Sequence, residues 1–136
     1  MFRKIVYCSP IEGVIHWQGK PLENVTLTRE LQSGGFKNEE YSDKAVTNEL
    51  GKFTFGVVEE RRFLRPDLLS ANPRVSQLIW LQHEGNRYAI WSYSKQNFDL
   101  GTESDEGIIR INCDLSTYEQ YSHGRIVRCQ HNGNQQ

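Results

Sequence analysis

A chain of 136 residues and 15.8 kDa fits one domain, long enough to bury roughly two thirds of its unfolded surface around a single core. A formal net charge of −1 and a pI of about 6.4 supply no global field for phosphate backbones or anionic lipid. No apolar run approaches the roughly 20 residues that cross a bilayer, so nucleic acid and membrane are excluded as expected partners. The start, Met1 to Pro10, is too poor in apolar residues for a secretion signal, which predicts a cytoplasmic protein as written and a periplasmic one if a leader has been removed.

Taken in chain order, Ile5, Val6 and Tyr7 predict a short first strand, and residues 13–17 a second that runs into a turn at Gly19-Lys20-Pro21. Val25, Leu27 and Arg29 alternate with Thr26 and Thr28, a period of two that puts alternate side chains on opposite faces of a sheet. Residues 30–39, with paired glycines at Gly34 and Gly35, read as a hairpin tip. Residues 41–47 and 52–58 are expected to form the next hairpin about Asn48-Glu49-Leu50-Gly51. The strand rhythm then breaks, and the two prolines of residues 59–73, Pro66 and Pro73, predict a long connection with one helical turn.

Residues 75–83, the Glu84-Gly85-Asn86-Arg87 turn and residues 88–93 make the clearest hairpin, with Trp80 and Trp91 expected to pack across it. Residues 96–107 are polar and acidic and read as a surface loop. Residues 108–113 read as a strand, 116–123 as a helical turn or loop, and 124–129 as a last strand. The organisation expected is one domain over residues 1–130 and a disordered tail over 131–136.

The order Gly-x-Val, Gly19-Lys20-Pro21-Leu22, Val25-Thr26-Leu27-Thr28, then Thr47 and Gly51-Lys52-Phe53-Thr54-Phe55 resembles the carboxypeptidase regulatory-like domains. The resemblance spans roughly Ile11 to Val58. It implies an all-β fold, a small antiparallel β-sandwich with a transthyretin-like (prealbumin-like) Greek key, here with one long irregular connection around residues 59–74. Beyond that segment, Cys8-Ser9-Pro10, residues 111–115 and Cys129 resemble short single-domain bacterial proteins of uncharacterised function. The fold also houses the transthyretin-related hydroxyisourate hydrolases, which end in Tyr-Arg-Gly-Ser and use paired histidines with an arginine. This chain has Arg125 to His131 there instead, and His16 in a different context.

No residue set forms a catalytic signature, and no cofactor or metal is expected. His16, His83, His123 and His131 lack zinc-ligand spacing, and Cys8, Cys113 and Cys129 include no C-x-x-C. The cysteines read either as buried thiols or, for Cys113 and Cys129, as a bridge between neighbouring strands, which requires Cα atoms within about 7 Å. The carboxylates Asp99, Glu103, Asp105 and Glu106 form either a solvated charge run or a calcium loop without EF-hand order. Trp17, Trp80, Trp91, Tyr88 and Tyr93 belong either to the core or to a sugar-stacking face.

The partner-binding candidate is Glu60, Arg61, Arg62, Phe63, Leu64 and Arg65, where mixed charge lies beside apolar groups on an irregular connection. The competing account has Phe63, Leu64, Leu68 and Leu69 plugging the open end of a sandwich. The function expected is that of a non-enzymatic bacterial protein-binding module, an immunity or inhibitor protein against a secreted toxin or effector. The alternatives are a carbohydrate- or envelope-binding accessory module and, remotely, a hydroxyisourate hydrolase-like enzyme.

Overall fold

The computed structural model describes residues 2–33, 40–63 and 74–134, and within them every regular element is a strand. Two larger sheets face each other and a two-stranded ribbon flanks them. The first larger sheet contains β4 (Thr26–Gln32), β5 (Glu40–Val46), β8 (Val75–His83), β9 (Asn86–Lys95), β11 (Tyr118–Tyr121) and β12 (Gly124–Val127), in the order β11-β12-β9-β8-β4-β5. The second contains β2 (Ile11–Trp17), β3 (Lys20–Pro21), β6 (Lys52–Phe55), β10 (Ile109–Asp114) and β13 (Gln130–His131). Its order is β13-β10-β2-β3, and β6 also pairs with β2. The ribbon joins β1 (Phe2–Cys8) to β7 (Val58–Phe63). The protein is thus all-β and sandwich-like, as its alternating pattern predicts.

Alternation builds the interior. Leu27 and Leu31 on β4, Val75, Ile79 and Leu81 on β8, and Tyr88 and Trp91 on β9 are buried from one side. Ile11 and Ile15 on β2, Phe53 and Phe55 on β6, and Ile109 and Ile111 on β10 meet them from the other, in one continuous cluster. Each such side chain contributes about 1.5–3 kcal/mol by leaving water. The predicted hairpin at residues 75–93 is present, and Glu84 and Gly85 at its tip both have positive φ (49° and 79°), as a two-residue primed turn requires.

Several expectations are corrected. Residues 41–47 and 52–58 are not one hairpin: β5 pairs with β4, while β6 crosses to β2 in the opposite sheet. Gly51 is the reason. It has φ +75°, its carbonyl accepts the Ile15 amide at 2.8 Å, and a Cβ there would sit 2.5 Å from the Ile15 carbonyl oxygen. The turn is therefore seated on β2, and the Asn48 side chain fixes its shape by accepting the Leu50 and Lys52 amides.

The irregular connection expected around 59–74 begins as strand β7. Ile5, Val6, Tyr7 and Cys8 of β1 are all buried, so their backbone groups need a ladder, and β7 supplies it despite its charges. Residues 64–73, including the expected helical turn, lie outside the described residues, as do residues 34–39 of the expected hairpin tip. Trp80 and Trp91 do not meet, because the ladder slips between Ile79 and Trp80 and leaves Ile90 as an extra residue. Trp91 goes inward, whereas Trp80 lies under the Arg87 guanidinium at 4.1 Å and donates to Glu30 at 3.0 Å.

Residues 118–121, read as helical turn or loop, form β11, held by Tyr118 packed edge-on to Tyr88 with the Arg125 guanidinium 4.0 Å from the Tyr118 ring. The tail expected from His131 is tied down as far as Asn134. His131 pairs with Ile111, Asn132 donates to the Arg110 carbonyl, and Asn134 donates to the Glu103 carbonyl.

Candidate functional site

The predicted partner-binding residues divide. Glu60 and Arg61 stand exposed on β7, where the Tyr7 hydroxyl donates to Glu60, and Lys4 on β1 forms a 2.9 Å ion pair with Glu59. Arg62 and Phe63 continue the same strand, their backbones in register with Arg3 and Phe2. Leu64 and Arg65 lie outside the described residues. The candidate segment therefore starts on a strand mounted against a buried neighbour rather than on a free loop.

A second cluster went unread in the sequence. Lys95 and Glu103 are both completely buried and form an ion pair at 3.1 Å. Glu103 also accepts the Ser9 amide and hydroxyl, each at 2.9 Å, and the Gln77 side-chain amide at 2.9 Å, while Gln77 accepts the Trp91 indole N–H at 3.0 Å. Burial opposes the Glu103 charge, but the Ser9 amide, Gln77 and Lys95 outweigh it and hold the carboxyl below its usual range. The expected solvated loop is corrected at this point, since residues 96–107 send Glu103 inward as an anchor. The only available signal was alternation, which carries β9 from Trp91 through Tyr93 to Lys95 on the inner face.

Arg29 is the third buried charge, and alternation had placed it on the same face as Leu27. It donates to Asp43 at 2.9 Å through Nε and to the Gly56 carbonyl at 2.8 Å, and lies 4.8 Å from the centre of the Phe55 ring. Cys8 sits beside these groups with no exposure, and burial pushes its thiol up to about 12. A thiol that holds its proton so firmly is a poor nucleophile. No buried side-chain polar atom among the described residues lacks a hydrogen-bond partner, so the cluster is a closed network that pins the 96–107 loop and β1 to the six-stranded sheet.

Open grooves also lie among the described residues. One groove of about 520 Å³ runs over the five-stranded sheet, with Glu12, Val14, Lys52, Arg110 and Asn112 among its lining residues. Arg110 is occupied by Glu12 at 2.9 Å and by Glu106. Asp114, at the end of β10, lines a separate groove of about 360 Å³ with His16 and Arg128; it accepts the Ser116 hydroxyl and the Ser116, Gly19 and Gln18 amides, which draw its carboxyl down to about 2. Another groove of about 480 Å³ is lined by Trp91, Tyr93, Arg128, Cys129, His131 and Asn134. Trp91 and Tyr93 stack at 5.5 Å with their rings 7° apart, and His131 meets Trp91 edge-on at 5.4 Å.

Cys113 and Cys129 are bridged, with Cα atoms 4.5 Å apart, while Cys8 is free and buried. Of the two readings the cysteines allowed, the bridge holds for this pair and the buried thiol for Cys8. The ladder explains the pairing, because Asn112 opposite Gln130 carries Cys113 to Cys129. The histidines do not converge: His83 lies tilted against Trp17, and His131 meets Trp91 edge-on. Among the described residues no three His, Cys, Asp or Glu side chains group as metal ligands. The loop carboxylates disperse, Glu103 to Lys95, Asp105 to Asn134 and Glu106 to Arg110.

No curated protein matches the chain. A family model described as "Domain of unknown function (DUF6795)" matches residues 11–118, and the chain belongs to that family. The matched span runs from the first residue of β2 to the first of β11, leaving β1, β12, Cys129 and β13 outside it.

Proposed function

We propose that this member of the DUF6795 family is a non-enzymatic bacterial protein-binding module that engages another protein through β7 and the chain beyond it, residues 60–65. The carrying observation is the mounting of β7. Its neighbour β1 is buried from Ile5 to Cys8, which fixes the ribbon, while Glu59, Glu60 and Arg61 face solvent in a charge pattern suited to fixing partner orientation. The closed interior network and the inert Cys8 thiol support binding rather than chemistry. A small module of this kind fits an inhibitor of the immunity type, acting on a secreted toxin or effector.

The transthyretin-like reading is supported by the two sheet orders, β13-β10-β2 with β6 on one side and β9-β8-β4-β5 on the other, and by the parallel β2–β10 pairing within an otherwise antiparallel-rich fold. The Cys113–Cys129 bridge favours an oxidising compartment, hence the periplasmic alternative over the cytoplasmic one.

The carbohydrate alternative rests on the groove over the five-stranded sheet, where Asn112 and Gln130 present amides able to match sugar hydroxyls. Against it, two of the aromatics expected to stack on a sugar are withdrawn, Trp91 being buried and Trp80 covered by Arg87. Capture on immobilised protein followed by calorimetry separates the two. A stoichiometric protein partner whose affinity falls at least tenfold with Arg61→Glu is expected. Binding indifferent to Arg61→Glu but lost with Asn112→Ala on a glycan array refutes the protein-binding reading.

A further inference from the structure

We propose that the Cys113–Cys129 bond is a redox-operated clasp: a dithiol reductant opens it and frees residues 130–134 as a strap, uncovering Trp91 and the edge of β10 while the two sheets stay folded. The inference is independent of the role of β7. It rests on where the bond sits and on the strap's other ties being hydrogen bonds at the surface of the sheet, with no apolar side chain of its own in the core.

The chain leaves the six-stranded sheet at Val127, the end of β12, and reaches the five-stranded sheet at Gln130, the start of β13. Cys129 lies in that crossing, and its bond to Cys113 is the covalent link between the crossing and β10. β13 is only two residues long and exposed. Beyond β13 the strap is held by hydrogen bonds: Asn132 N–H to the Arg110 carbonyl at 3.2 Å, the Arg110 N–H to the Asn132 side-chain oxygen at 2.7 Å, the Asn132 side-chain amide to the Ile108 carbonyl at 3.0 Å, Asn134 N–H to the Glu103 carbonyl at 2.6 Å, and the Asn134 side-chain amide to the Thr102 carbonyl at 2.9 Å and to Asp105 at 3.2 Å.

Such partly solvated hydrogen bonds contribute little net, and the backbone entropy of ordering five residues works against them. The bond changes the balance by keeping Cys129 against β10, so that closing the strap becomes a short-range event. β10 does not depend on the strap in the same way. It keeps a six-residue parallel ladder with β2, and Ile109 and Ile111 stay in the core.

The closed strap covers something definite. Gly133 rests on Trp91 so closely that a Cβ there would stand 2.7 Å from Cη2 of the indole, and His131 meets the same ring. Cys129 is half-buried at the mouth of the groove that contains Trp91 and Tyr93, whereas Cys113 has no exposure, so the attack falls on Cys129. One thiolate of the reductant bonds to Cys129 Sγ as the Cys113–Cys129 bond breaks, and Cys113 leaves as thiolate and takes a proton. The second thiol of the reductant then displaces Cys129, which is protonated in turn. The reductant ends as a disulfide, oxidised by two electrons, and the protein as a dithiol, reduced by two.

The test uses the full chain with and without dithiothreitol, read by amide hydrogen exchange and by alkylation followed by mass measurement. Expected are two additional alkylated thiols at Cys113 and Cys129 after reduction under native conditions, and at least a tenfold faster exchange in peptides covering residues 128–134. Peptides from β8 and β9 should remain unchanged, and oxidised glutathione should reverse the effect. A Cys113→Ser/Cys129→Ser variant should show the open pattern without reductant. Strap exchange that stays slow in the demonstrably reduced protein overturns the proposal. So does a bond that resists native reduction, a bond absent from protein prepared under oxidising conditions, or a double variant that loses protection throughout.

Discussion

Replacing Glu103 by glutamine tests the interior network most directly. The substitution keeps the size of the side chain and one carbonyl oxygen for the Ser9 donors, but leaves the Lys95 ammonium completely buried beside a neutral partner. Removing one member of a buried ion pair costs about 3–5 kcal/mol, because the surviving charge is stranded away from water. For a chain of this length that corresponds to a fall in Tm of roughly 10–20 °C, a large part of a total stability of about 5–15 kcal/mol. Urea unfolding of the wild type, Glu103→Gln, Lys95→Met and the double variant measures it, and the double variant should be more stable than the sum of the single losses implies.

Acid adds a second readout. Glu103 is held below its ordinary range in the folded state, so its contribution is full above the unfolded value of about 4.3 and disappears as pH falls through the folded one. Glu103→Gln should accordingly lose less stability than wild type on acidification below about pH 4. Single losses under about 1 kcal/mol, adding within about 0.5 kcal/mol in the double variant, would refute the reasoning.

Gly51→Ala should destabilise by about 2 kcal/mol or more, since the new methyl meets the Ile15 carbonyl oxygen at 2.5 Å in a conformation with φ +75°; a thermal melt within 2 °C of wild type contradicts that account of how β6 reaches β2. Cys8, with its thiol pushed up to about 12 chiefly by burial, should react with iodoacetamide at pH 8 only at the rate of global unfolding. Modification of the native protein within seconds would show that the interior opens locally there.

Local features of the fold were readable in the chain, and long-range choices were not. The residue 75–93 hairpin is carried by its own alternation and by Glu84-Gly85, which the same stretch contains. The strand over residues 52–55 was equally visible, but its partner was not. Whether it continues beside β5 or crosses to β2 depends on Gly51 meeting Ile15, a contact between segments distant in sequence. β7 was hidden because Glu59-Glu60-Arg61-Arg62 has the composition of a loop, and only the fully buried β1 beside it makes a strand necessary. Glu103 was hidden for a related reason: among Asp99, Asp105 and Glu106 nothing marks the one carboxylate that turns inward, and its partner Lys95 looks like a strand end meeting solvent. Of the candidate partner-binding residues, Glu60 and Arg61 lie exposed on a strand and not on the irregular connection expected.

The parallel pairing of β2 with β10 matters while the chain is being made. Ile11 finds its partner Ile109 only after roughly a hundred further residues have been added, and at about 5–20 residues per second the ribosome needs on the order of 5–20 s to deliver them. Through that interval one side of an apolar strand has no ladder on its β10 side, a template for wrong pairing with any nascent neighbour. Yield in the cell should therefore respond to translation speed and to chaperone supply more strongly than the stability of the finished protein suggests.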